Sequence, residues 1–349
     1  MVSFKILAGG YDVFVATYLF NSNTSTLSLV SKSPTGPSPS ATNEVDNGAL
    51  QSFVINSAGA LLPAVDTITS GGSFPAFTTA LSSGSVAVFN YGSGNGRILP
   101  TTSSPLKFNA VAPVIVFPQP QQPSTSHPHM VVEYGNEVFV PDLGGDTVWR
   151  LSATNTATGS YAIKGQIAQP KGSGPRHIAF LNQRLFTIHE LDNTLTIHTI
   201  PTVPNGTASL LASANIVPPN APAGAKFFAS GILIPPTTKA FPTPYIYVAN
   251  RNLGTQDVRG DAIAIYEHIN VGKSNEGLKF INHVYTGINQ PRGLEFGPAD
   301  GRGGEAFLAV GGVAGNAGVK VFKRVDGGRT LELVATNWDI PTRTAFVWV

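Results

Sequence analysis

The chain has 349 residues, of which only 12% are charged, and its 22 Lys and Arg against 20 Asp and Glu leave a formal charge of +2. With 42% hydrophobic residues it is not a disordered chain, and with 37 Gly and 27 Pro it is not a coiled coil or helical bundle, which needs helix formers at helical period. No basic cluster marks a nucleic-acid surface, and the lack of Cys excludes disulfides, thiolate metal sites and Cys nucleophiles.

The N-terminal Met1-Val2-Ser3-Phe4-Lys5 lacks the basic stretch and long apolar core of a signal peptide. Apolar stretches such as Ala110 to Phe117 are too short to cross a bilayer. The expectation is a soluble cytoplasmic protein. The sequons at Asn23 and Asn205 read as chance matches in a Ser/Thr-rich chain.

Gly36-Pro37-Ser38-Pro39-Ser40 has the form of a unit opening, a Pro/Gly element ahead of an apolar strand. Ala41-Thr42-Asn43-Glu44 has the form of a second-strand end, and the two are adjacent. Complete units appear further along. Phe74-Pro75-Ala76-Phe77 opens one, whose second strand runs from Val86 to Phe89 into Asn90-Tyr91-Gly92. That Gly-rich turn lacks the following helix and Lys-Ser/Thr of a phosphate loop. Pro118 to Ser124 is a Pro/Gln connector. His127-Pro128-His129 opens the next unit, ending its second strand at Val140-Pro141-Asp142. Gly174-Pro175-Arg176-His177 opens another, ending at His189-Glu190. Ser230-Gly231 leads to Tyr247-Val248-Ala249-Asn250-Arg251, and Pro291-Arg292-Gly293 opens the last, with Ala306 to Val310 as its second strand.

The openings Pro75, Pro128, Pro175, Ser230 and Pro291 lie 53, 47, 55 and 61 residues apart. Several strands recurring at about 40–50 residues mark a β-propeller, and the length accommodates seven such units. The expected fold is therefore all-β: a single seven-bladed propeller over residues 1–349, with the blade near 36–57 shortened by an apparent deletion of about ten residues, one strand and its turn.

In a propeller the first strand of each blade lines the channel and the second runs back. Strand starts and second-strand ends therefore meet at one mouth. This places His127, His129, Arg176, His177 and Arg292 in a ring with Glu44, Asn90, Tyr91, Asp142, Glu190, Asn250 and Arg251. Strand alternation turns His177 and His189 to the other face, so both are left out of the site. Asp142, Asp146 and Asp192 read as turn caps. No His/Asp/Glu spacing suggests a metal site, and no cofactor motif is present.

These motifs, with Gln290-Pro291-Arg292-Gly293 and the terminal Ile340-Pro341-Thr342-Arg343-Thr344, resemble the lactonase family of seven-bladed propellers. That family includes bacterial 6-phosphogluconolactonases and fungal 3-carboxy-cis,cis-muconate lactonizing enzymes, and the resemblance is greater to fungal members. It implies a metal-independent site in which His129, Arg176, Glu190 and Arg251 match the active-site residues of the muconate enzymes. Arg292, Asn250, Tyr91 and Glu44 are the expected substrate-binding residues. Arg forks suit a polycarboxylate, and His129 or Glu190 suits general acid/base chemistry. The implied activity is lactone formation or lactone hydrolysis on a small anionic carboxylate. The absence of Lys from the ring favours carboxymuconate over a phosphorylated sugar lactone. Many relatives carry an acidic residue on the inner strand where Ser230-Gly231 stands, a departure from the pattern. The rival readings are a 6-phosphogluconolactonase, a non-catalytic binding propeller and a six-bladed metal-dependent lactonase.

Overall fold

The computed structural model describes residues 2–39, 45–102, 106–120 and 125–349. Strands β1 (Ser3–Gly9), β2 (Phe14–Asn21) and β3 (Thr26–Pro34) form the first sheet. Two short strands, β4 (Ala49–Ser52) and β5 (Asp66–Thr69), pair only with each other. Five four-stranded units then follow or complete the ring. The first is β6 (Pro75–Ala80), β7 (Val86–Asn90), β8 (Asn95–Leu99) and β9 (Ile115–Val116). The second is β10 (Val132–Tyr134), β11 (Glu137–Asp142), β12 (Thr147–Asn155) and β13 (Ser160–Ala168). The third is β14 (Pro175–Leu181), β15 (Arg184–His189), β16 (Thr194–Thr199) and β17 (Leu210–Asn215). The fourth is β18 (Phe227–Leu233), β19 (Ile246–Asn252), β20 (Ala262–Ile269) and β21 (Gly277–Tyr285). The fifth is β22 (Asn289–Phe296), β23 (Phe307–Ala314), β24 (Val319–Val325) and β25 (Thr330–Asn337). Finally β26 (Ala345–Trp348) returns to β1, so the first sheet runs β26-β1-β2-β3 and closes the ring.

Among the described residues there are six four-stranded sheets and one two-stranded sheet, an all-β propeller. The short sheet lies at 49–69, overlapping the segment expected to be shortened. The deletion invoked beside it falls at Ser40–Ala41, outside the described residues, as does Glu44. β5 is followed directly by the inner strand β6, as β13 is followed by β14. The strands present are therefore the outer pair of a blade, and the inner pair is what the described residues lack. A β-bridge between Ile55 and Leu61 shapes the excursion joining β4 to β5. That excursion leans on the first blade, where Thr17 Oγ1 donates to Gly59 O at 2.8 Å.

Second strands such as β11 and β15 are buried along nearly their whole length, so they read as continuous apolar runs rather than alternating ones. They pack sheet against sheet. Phe186 and Ile188 meet Ile232, Ile246 and Val248 across one interface, and Phe4 and Ile6 meet Ala309, Val319 and Val321 across the closing one. Polar staples tie neighbouring turns. Asp142 accepts from Ser126 Oγ (2.7 Å), His127 N (2.7 Å), Gly145 N (2.9 Å) and Trp149 Nε1 (2.9 Å). Asp146 and Asp192 likewise accept from turn amides. Among the described residues no helix is long and apolar enough to cross a membrane.

Ring closure rests on β26, which pairs with β1 and buries Phe346 beside Phe4 and Phe20. Removing Ala345–Val349 strips this strand and the Trp348 ring, a loss of about 5 kcal/mol or more. The truncated protein is expected to melt at least about 10 °C below the full chain by circular dichroism. An unchanged midpoint would show that the first blade holds without its inner strand.

Candidate active site at the channel mouth

Four inner strands begin with the same irregularity. In β6, β14, β18 and β22 the register slips by one residue at Pro75/Phe77, Pro175/His177, Ala229/Gly231 and Pro291/Gly293. Each slip is a β-bulge, an extra residue that bends the strand and re-aims side chains. The extra residues are Ala76, Arg176, Ser230 and Arg292. Ser230 spends its hydroxyl on the neighbouring blade, donating to Pro291 O at 2.7 Å. Arg176 and Arg292 instead line the channel.

Glu190, one residue past β15, joins the cluster from the third complete unit. Its Oε2 lies 2.6 Å from Arg176 Nε and 2.9 Å from Arg251 Nη2. Arg176 is 1% exposed. Burial first, then the neighbouring Arg251 charge, pulls its pKa down to about 9, so it stays protonated at neutral pH. His129 comes from the second unit, its backbone N donating to Pro141 O. Its ring lies 5.2 Å from that of His177 and 5.6 Å from that of Tyr91. Its Nδ1 is buried with no hydrogen-bond partner among the described residues. Burial, followed by the charges of Arg176, His177, Arg292 and Arg251, holds the His129 pKa well below the usual value, so the imidazole is neutral at pH 7. Tyr91 stacks on His127 at 4.3 Å, and burial then the Glu190 charge raise its phenol. Arg292 lies 5.4 Å from the Tyr11 ring centroid.

His129, Arg176, Glu190, Arg251, Arg292 and Tyr91 thus line one cavity of about 460 Å³ at the mouth. Asn250 does not reach it. This expected substrate-binding residue is fully buried, and its Nδ2 donates to Ile216 O at 2.6 Å, a staple between blades. Side chains alternate along a strand, so where Arg251 faces the mouth, Asn250 faces the protein. Tyr91 and buried Asn90 repeat the arrangement.

His177 is the converse correction. The bulge at Arg176 cancels the alternation, and both side chains turn inward. Arg176 Nη1 lies 3.2 Å from His177 Nε2. A guanidinium has only donors, so Nε2 accepts and the ring proton sits on Nδ1. Burial and then the Arg176 charge keep His177 neutral. Its signal in the sequence was the Pro before two consecutive polar residues at an inner-strand start. His189 does face the interior, with Nε2 2.9 Å from Thr196 Oγ1. Gly231, beside the Ser230 bulge, has room. A Cβ there would lie 3.6 Å from Leu294 Cδ1 and 3.9 Å from His177 Nδ1.

A second cavity, of about 790 Å³, opens from the first and shares Ala76, His129, Arg176 and Arg292 with it. It holds Glu295, whose carboxyl burial raises to about 7. Among the described residues no group of His, Asp and Glu is arranged to hold a metal ion.

These titrations set an acid limb. His198 and His189 are lowered to about 4 and about 3, mainly by burial, and His129, His177 and His283 are also lowered. The unfolded chain takes up these protons near pH 6.5 while the folded chain does not, so stability is lost as pH falls below 6.5. The slope is about 1.4 kcal/mol per pH unit for each fully titrating group. Glu295 acts oppositely, its contribution fading as pH rises from 4.5 to about 7. The histidines outnumber it. Urea midpoints are expected to rise from pH 4.5 to 6.5 and level off above 7. Glu295→Gln should gain on the wild type at pH 8 and match it at pH 4.5.

Comparison with known proteins agrees with this architecture. The family model "Lactonase, 7-bladed beta-propeller" matches residues 16–348. No curated protein sequence matches. Among solved structures, a Lactobacillus plantarum protein superposes with a TM-score of 0.82 at 18% identity, covering 100% of both chains. A candidate 6-phosphogluconolactonase from Bacteroides fragilis gives 0.77 at 20% identity, covering 99% of this chain and 98% of its own. A periplasmic gluconolactonase from Pseudomonas aeruginosa gives 0.81 at 17% identity, covering 100% and 99%.

Proposed function

Because the chain belongs to the seven-bladed β-propeller lactonase family, we propose that its channel mouth opens or closes the lactone ring of a small carboxylate. The observation that supports this reading is the convergence of Arg176, Glu190 and Arg251 in one ion triad beside a neutral His129.

In the hydrolytic direction, water adds to the lactone carbonyl and the bond from that carbon to the ring oxygen breaks. His129, neutral and with its Nδ1 unpaired among the described residues, takes the proton of the attacking water and returns one to the departing ring oxygen. Arg176 and Arg251 face the oxyanion and the carboxylate that forms. Glu190 is engaged by both guanidiniums at 2.6 and 2.9 Å. It therefore orients the arginines, and His129 is the better general base. Lactone formation is a different step: a substrate carboxylate oxygen bonds to one carbon of a double bond while the Tyr91 phenol delivers its proton to the other carbon and is reprotonated from solvent.

The solved neighbours from Bacteroides fragilis and Pseudomonas aeruginosa favour a sugar-acid lactone as substrate. Carboxymuconate is the second reading, favoured by the absence of Lys from the described lining of either cavity. In both readings the two-stranded sheet is a blade shortened by a deletion next to Ser40.

The test is turnover of 6-phosphogluconolactone, δ-gluconolactone and 3-carboxy-cis,cis-muconate by the purified protein. One of them is expected to turn over. Arg176→Met should lower kcat/KM about 100- to 1000-fold, the range for removing an oxyanion donor, and His129→Ala at least about 100-fold. Glu190→Gln should raise KM more than it lowers kcat. A folded protein inactive on all three, or an active one indifferent to His129→Ala, would overturn the assignment.

A further inference from the structure

We propose that the 790 Å³ cavity beneath the mouth is a subsite for the apolar body of the substrate, so that the chain takes lactones, or their hydroxycarboxylates, bearing a medium-length apolar substituent. This deepens the lactonase reading and depends on it for the reaction, though not for the binding.

The cavity stands where an inner strand pair would complete the two-stranded sheet. Phe53, Ile55 and Leu61, from the excursion after β4, form one wall, and Leu294, Phe346 and Trp348 form another. Its lining is predominantly apolar. A sugar acid or a tricarboxylate has no apolar part to set against such walls. A pocket of several hundred Å³ with few convergent polar groups is the usual form of a ligand site. Its cationic groups are at the shared end, where Arg176, Arg292 and His129 face both cavities. A ligand spanning the two would hold its carboxyl at the guanidiniums and its chain among the aromatic and aliphatic walls. Glu295 lies on β22, three residues past Arg292, and burial raises its carboxyl to about 7, so close to neutral pH a large share of it is uncharged.

Butyrate and decanoate are the probes, since neither is turned over. Binding is read by titration calorimetry and by the fluorescence of Trp348, which lines the cavity. Each methylene buried is worth about fourfold in affinity, so decanoate is expected to bind at least about 30-fold tighter than butyrate. Thr79→Trp, which fills the cavity from β6 away from the arginines, should bring decanoate to within about threefold of butyrate and leave butyrate unchanged. Ile55→Asp, at a residue 40% exposed and so tolerant of charge, should weaken decanoate about tenfold and serves if Thr79→Trp does not fold. Equal affinities for the two acids, or decanoate binding indifferent to both folded variants, would overturn the subsite. If butyrate binding is lost in Arg176→Met under those outcomes, the mouth reading survives alone. If neither acid binds, both fall.

Discussion

One unpaired residue at the start of an inner strand decides what the channel mouth is made of. Without the slip at Pro175/His177, Arg176 and His177 would point to opposite faces of β14. With it, a guanidinium and an imidazole sit 3.2 Å apart on the axis side. The guanidinium then meets Glu190, Glu190 meets Arg251, and burial, with the positive field of the cluster added, keeps His129 unprotonated. The same slip in β6 and β18 brings only Ala76 and Ser230, so two of the four bulges add no charge to the mouth. Arg176, Arg292 and His129 stand where the mouth meets the second cavity.

That cavity follows from where strands are absent. A four-stranded blade fills its wedge of the ring from axis to rim. The β4–β5 sheet supplies the rim, and Leu50 joins Val88 and Leu99 in the neighbouring core. The space nearer the axis is walled by the Ile55–Leu61 excursion and by β26 instead. The outer pair is thereby stabilised by its neighbours even though its inner hydrogen-bonding edge has no strand beside it among the described residues.

The period of about 50 residues, the Pro-led inner strands and the Asp turn caps were legible in the sequence, because each is a local rule repeated. The meeting of His129, Arg176, Glu190 and Arg251 was legible too, since propeller topology forces strand starts and second-strand ends together. His177 and Asn250 were misplaced for different reasons: at 250–251 ordinary alternation gives the mouth only one of two neighbours, and at 176–177 a bulge gives it both. A bulge resets the alternation, and it leaves no mark in composition. Glu295 was invisible for another reason. A single carboxylate in an apolar strand acquires its raised pKa only from walls contributed by distant segments, which no local pattern encodes.

Gly231 carries a consequence for how such a site changes over generations. Its backbone is not in the left-handed region, so a side chain there meets no conformational strain. A new Cβ would find ordinary contact distances to Leu294 and to His177 Nδ1. Aspartate is one base change from glycine, and its carboxylate would accept the Nδ1 proton of His177. The imidazole would then be held by hydrogen bonds at both nitrogens, with a new carboxylate beside it, while the arginines kept their places. The channel therefore lies a single mutational step from a different acid/base inventory, and drift at this one position can move the chemistry of the mouth without disturbing the blades that support it.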